Sequence, residues 1–192
     1  RTPICTFSRV LGHMCGGIDS SSTANCDKVT IASTGNAVDS GIDLTAAKYN
    51  GGAVGDSTRG MVLGGTTGSV TNVMEYMTLA STANFVDFGD LITAVQSNGG
   101  VNRVNNIQYI TISTLGNASD FGDLAATRTP NAGAMSNAIR GLAFGGGAPG
   151  PVAGNSNTIE FITIATLGNA QDFGDLNQSR GDAAGFSSPI RA

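Results

Sequence analysis

The chain has no tryptophan, a single histidine, two lysines and three cysteines, and only 12% of its 192 residues are charged. Each shortage excludes something. With Lys28 and Lys48 the only lysines and a net charge of −4, no basic stripe exists to neutralise a phosphate backbone, so nucleic acid is not an expected partner. No apolar run approaches the roughly 20 residues that cross a bilayer as a helix, so membrane insertion is not expected either. His13 lacks the Cys-x-x-Cys pair or second cluster that a zinc site needs, and no nucleophile motif accompanies it to make a Ser-His-Asp triad. The 28 glycines argue against a helical chain, and the low charge argues against disorder. All-β is the expectation, in one domain spanning 1–192.

Cys5, Cys15 and Cys26 all lie in the first 26 residues. In an oxidising compartment Cys15 with Cys26 is the preferred bridge, because the two flank the first Gly-Gly turn and could face each other across a hairpin. Reduced, partly buried thiols are the alternative. The start at Arg1 reads as a processed product or a fragment.

What the chain does have is repetition. A phrase best written as Glu160-Phe-Ile-Thr-Ile-Ala-Thr-Leu-Gly-Asn-Ala-Gln-Asp-Phe-Gly-Asp-Leu176 recurs at 27–44, 75–91 and 108–124, the first copy carrying one extra residue. Self-similarity on this scale means one supersecondary unit stacked on copies of itself, since a single unit cannot bury its own apolar face. The first half of each phrase is strand-like, with Ile159, Phe161, Ile162 and Ile164 in the last copy. Gly-Asn-Ala at 116–118 and 168–170 then predicts a tight turn.

Next comes Asp-Phe-Gly-Asp-Leu at 87–91, 120–124 and 172–176, where Phe88, Leu91, Phe121, Leu124, Phe173 and Leu176 are expected to plug the space between units. The paired aspartates Asp87 and Asp90, Asp120 and Asp123, and Asp172 and Asp175 are expected to cap turn amides. Alternatively they offer hard oxygen ligands to calcium, the one cofactor considered. A second element ends in a glycine pair, Gly64-Gly65 and Gly145-Gly146, where missing Cβ atoms let backbones crowd together. Taking these pairs as markers gives an N-terminal closing strand at 1–16 and units at 17–64, 65–99, 100–145 and 146–192. The short unit at 65–99 is expected to lack a strand, where Ile92 to Asn98 replaces the fuller segment of the other units. The strand from Arg9 to Gly17 is otherwise orphaned, so the termini are expected to pair, closing a ring or joining neighbours head to tail.

Gly-Gly after an apolar strand, then Glu75-Tyr76 or Glu160-Phe161, then Leu124 with Arg128 or Leu176 with Arg180, resembles kelch repeats. That resemblance implies a β-propeller of four antiparallel units. The Asp-Phe-Gly-Asp-Leu phrase more closely resembles the kelch-like repeats of phage structural and tail-fibre-like proteins, those of cyanophages especially. It implies a virion, extracellular or cell-surface location, homo-oligomers or other appendage proteins as partners, and no catalytic residues. A host receptor or surface glycan is the alternative partner, met by Tyr49, Asn50, Asn155 and Asn157 in the variable loops.

Enzyme motifs find no context. Asp-Phe-Gly lacks the glycine loop, lysine and catalytic loop of a kinase, and Gly145 to Gly150 fits Gly-x-Gly-x-x-Gly without a following helix. Glu75 and Glu160 align with Gln108 and Asp27, which suits an inter-strand hydrogen bond better than catalysis. Arg59, Arg140 and Arg191 are expected to pair with motif aspartates.

Overall fold

A computed structural model describes residues 4–7, 11–96, 104–128, 132–147, 154–181 and 183–185. Among them there is no helix, and all strand pairing is antiparallel. The first sheet takes β1 (Ile4–Phe7), β2 (Leu11–Cys15), β3 (Asn25–Thr30) and β4 (Val38–Asp43) in sequential order. The second repeats this with β5 (Gly52–Gly55), β6 (Arg59–Leu63), β7 (Val73–Thr78) and β8 (Val86–Asp90). The third pairs β9 (Val104–Tyr109) with β10 (Ser119–Arg128). The fourth is again a sequential meander, of β11 (Gly133–Ser136), β12 (Arg140–Phe144), β13 (Ser156–Thr163) and β14 (Gln171–Arg180).

The chain divides into two compact units, Arg1–Ser97 with Ile110–Ser119, and Asn98–Tyr109 with Asp120–Ala192. In the first unit two apolar clusters form the core. Cys15, Cys26, Ile42 and Leu44 of the first repeat meet Val62, Met77 and Phe85 of the second. Met61, Met74, Phe88 and Leu91 then meet Ala118, with Ile110 and Ile112 packed alongside. Both clusters lie between consecutive repeats, so a repeat on its own would leave that face wet.

Gly64-Gly65 and Gly145-Gly146 stand inside sheets, between the second and third strands, and all four glycines have positive φ. A Cβ on Gly64 would stand 2.5 Å from the Val95 carbonyl oxygen, and one on Gly145 would stand 2.7 Å from that of Arg180. The glycine pair therefore holds the tail of its own fourth strand, with Gly65 donating to Val95 and Gly146 to Arg180.

One expectation needs correcting. The segment from Arg9 to Gly17 is not an orphan, because its strand β2 is paired with β1 on one side and β3 on the other. Residues 4–7 supply the neighbour that the C-terminus was expected to bring. The closing segment 187–192, with Arg191, lies outside the described residues, as do Gly99 and Gly100.

A disulfide joins Cys15 to Cys26, directly opposite each other in β2 and β3. The same cross-strand position holds Leu63 with Met74 in the second sheet and Phe144 with Ile159 in the fourth, so the bridge replaces an apolar pair. His13 aligns in the same way with Met61. It is 3% exposed, lies opposite Lys28, and its Nδ1 has no hydrogen-bond partner among the described residues. Burial, helped by the Lys28 charge, pushes its pKa below the ordinary imidazole value. The unfolded chain therefore takes up a proton that the folded chain refuses. Stability is full above the ordinary value and falls as pH drops from there toward the lowered one. In denaturant titrations, wild type should lose up to about 1.4 kcal/mol per pH unit more than His13→Met across that interval.

Candidate functional site

The repeated phrase builds one recurring site, a joint between successive repeats. It starts with a β-bulge. In the second sheet Met74 faces Gly89 while Glu75 faces Asp87, leaving Phe88 as the extra residue. In the fourth, Ile159 faces Gly174 and Glu160 faces Asp172, leaving Phe173. A bulge bends its strand and re-aims a side chain, and the glycine after each bulged Phe accepts the φ required, +140° at Gly89 and +136° at Gly174, with +144° at the equivalent Gly122. The aspartate two residues earlier accepts that glycine's N–H, at 3.3 Å for Asp120 with Gly122 and 3.2 Å for Asp172 with Gly174. Asp-Phe-Gly-Asp is therefore a bulged fourth strand rather than part of a turn.

Onto this strand the next repeat lowers its Gly-Asn-Ala turn. Gly116 donates to the Phe88 carbonyl at 2.9 Å and Ala118 to that of Asp90 at 2.8 Å, while the Asp90 N–H returns a bond to Asn117 Oδ1 at 3.0 Å. The same three bonds recur one repeat later, from Gly168 to Phe121 at 2.8 Å, Ala170 to Asp123 at 2.8 Å, and Asp123 to Asn169 Oδ1 at 3.1 Å. Between the first and second repeats, Phe85 donates to Asp43 and Asp43 to Asn84 Oδ1. Asn117 thus has its side-chain oxygen engaged in the joint.

In the second and fourth repeats the third strand contributes a buried acid behind the turn. Glu75 Oε2 accepts the Thr45 N–H at 2.7 Å and its hydroxyl at 2.6 Å, and Oε1 lies 2.5 Å from Lys48 Nζ. Glu160 Oε1 accepts the Ala125 N–H at 2.8 Å, and its Oε2 takes Arg128 Nε at 3.1 Å and Nη2 at 2.5 Å. Arg128 Nη1 also donates to the Gly145 carbonyl at 2.6 Å. All four side chains are at most 4% exposed. The inter-strand bond expected of the glutamates forms at Glu160, from β13 to Ala125 and Arg128 of β10, while Glu75 bonds Thr45 and Lys48 just beyond β4; in both cases the cation stands four residues beyond the preceding repeat's motif leucine. The alignment held a signal: where Gln108 replaces the acid, the corresponding cation position is Val95, so both charges vanish together.

Other expected residues fall differently. Arg59 and Arg140 do not pair with motif aspartates. They lie over the Tyr76 and Phe161 rings, 4.8 and 4.7 Å from the centroids, and Arg59 Nη1 donates to the Ile112 carbonyl at 2.5 Å. Those rings meet the bulged Phe88 and Phe173 edge to face, as Tyr109 meets Phe121. Phe88, Leu91 and Phe121 are buried, Leu124 and Leu176 half-buried, and Phe173 is 51% exposed. For calcium, the structure assembles no group of three His, Cys, Asp or Glu among the described residues that could hold a metal ion. Asp120, for example, already takes the Asn106 amide at 2.7 Å.

Two clefts of about 190 and 200 Å³ flank the turns at Gly35-Asn36 and Gly168-Asn169 and are lined by equivalent residues. They belong to the repeat rather than to one ligand site. No protein-family model matches the chain, and no curated protein matches it.

Four variants probe the joint. A Cβ on Gly89 would stand 2.5 Å from the Gly116 carbonyl oxygen, whereas one on Gly174 meets nothing within 4 Å. Gly89→Ala combines overpacking with φ strain and should cost about 3 kcal/mol by chemical denaturation, against about 1 kcal/mol of strain alone for Gly174→Ala. Glu75→Gln strands the Lys48 charge and should cost about 3 to 5 kcal/mol, of which Lys48→Val in the same chain restores at least half. A double variant no more stable than the single one would contradict this account of the pair.

Proposed function

We propose that this chain is a non-enzymatic structural repeat module, a component of a phage fibre, virion or extracellular appendage, with its sheets serving as blades of a kelch-like β-propeller. One observation carries the reading: the residues the sequence repeats most faithfully are those used to hold one repeat to the next. A catalytic site needs a few groups that appear once and face a cavity. Here the buried acids and their cations are consumed in paired, repeated contacts.

The propeller reading is supported by the sequential antiparallel order of the first, second and fourth sheets and by the glycine pairs between second and third strands. The phage assignment is supported by the resemblance of the Asp-Phe-Gly-Asp-Leu phrase. The glycan-binding alternative loses one of its residues, since Asn50 is buried at positive φ within the fold.

Proteomics and electron microscopy of purified virions and surface filaments should find the chain as a regular component. Its recovery only as a free protein in the cell lysate would overturn the proposal.

A further inference from the structure

The repeat joint has two halves, and among the described residues each half is left over once. The first repeat carries a turn, Gly35-Asn36-Ala37, with the same three residues as the seated turns at 116–118 and 168–170, yet all three are exposed and a Cβ on Gly35 would meet nothing. The last repeat carries the strand half, Phe173-Gly174-Asp175, with the same residues as the occupied strands at 88–90 and 121–123. Phe173 is 51% exposed where Phe88 and Phe121 are at most 8%, and Gly174 holds the φ of its occupied counterparts with no described residue within 4 Å of a Cβ there.

The charges divide in the same way. Asp27 stands where Glu75 and Glu160 stand, and Arg180 where Lys48 and Arg128 stand; both are exposed at the open ends. A third contact is also waiting. Arg140 lies over Phe161 as Arg59 lies over Tyr76, and the counterpart of the Ile112 carbonyl that Arg59 binds is that of Ile31, in the first repeat.

We propose that a second copy of this chain docks head to tail, seating its Gly35-Asn36-Ala37 turn on Phe173-Gly174-Asp175 of the first and pairing its Asp27 with Arg180. The proposal rests on the structural reading above and specifies its contact. Gly168 and Ala170 already show the bonds, so Gly35 would donate to the Phe173 carbonyl, Ala37 to that of Asp175, and Asp175 N–H to Asn36 Oδ1. Gly35 is not at the positive φ of the seated glycines, a change glycine makes without a Cβ penalty. The contact is heterologous: one end of a copy meets the other end of the next. Repetition therefore builds a filament or a ring rather than a symmetric dimer.

The test compares wild type, Arg180→Glu, Asp27→Arg and the double variant by light scattering over rising protein concentration, with thermal melts as a folding control. Wild type should associate, each single variant should need at least ten times the concentration to do so, and the double variant, its charges exchanged, should regain association. Melts of all four should coincide at concentrations where they are monomeric. Assembly that neither single variant weakens would overturn this contact and leave the structural reading standing. A wild type that stays monomeric while single variants lower its melting temperature would mean that the two ends meet within one chain. A monomer insensitive to every substitution would overturn the docking proposal as well.

Discussion

A backbone approach that only glycine permits underlies the joints from the second repeat to the third and from the third to the fourth. At Gly89 the fourth strand of one repeat passes so close to the Gly116 carbonyl that a single added carbon has no room, and Gly122 meets Gly168 in the same way. That closeness lets two backbone hydrogen bonds and one asparagine bond form between segments that are not neighbours in any sheet. Each such bond contributes only about 0.5 to 1.5 kcal/mol. Together they hold the turns at 116–118 and 168–170 on the strands beneath them, while the first junction keeps one backbone bond and the asparagine bond. The bulged Phe88 then fills the space the joint defines, packed with Met61, Met74, Leu91 and Ala118.

The buried ion pairs act within that frame. Removing a glutamate and a cation from water is costly, and paired burial is not by itself a gain in stability over apolar residues. The chain itself carries the neutral solution once, with Gln108 and Val95 at the corresponding positions. The charged versions add direction. A carboxylate on the third strand demands a cation at one place on the preceding repeat's tail, so a shifted or reversed joint would strand a charge. At Lys48 the same residue serves twice, since its side chain reaches the next repeat while its backbone closes its own. Lys48 shows this plainly: its carbonyl accepts from Gly17, and its ammonium faces Glu75.

Much of this was legible in the residues, though not all of it. All-β structure followed from abundant glycine, scarce charge and strand-like phrases, and the strands stand where those phrases predicted. The glycine pairs were visible as close-approach points. The bulge was not, because Asp-Phe-Gly-Asp reads as turn chemistry when aspartate and glycine are weighed locally. Its strand character comes from β7 and β13 lying alongside, which no local pattern reports. The arginines misled for a related reason. Opposite charges were matched by type, whereas Arg59 and Arg140 sit over aromatic rings on the adjacent strand and the aspartates turn toward backbone amides.

The sequence alone determined that one unit is used repeatedly, that it is made of strands, and which positions repeat, because periodicity and glycine placement are properties of the chain itself. It also held the joint acid and its cation as a covarying pair, though four residues past the leucine and across a repeat boundary. Only the tertiary structure decided what the repetition accomplishes. It turned Phe88 out of its ladder, laid Gly116-Asn117-Ala118 on the strand behind it, and left Gly35-Asn36-Ala37 and Phe173-Gly174-Asp175 exposed as matching halves. Whether a turn is seated or free depends on which backbone lies opposite it, and that is set by contacts between residues tens of positions apart.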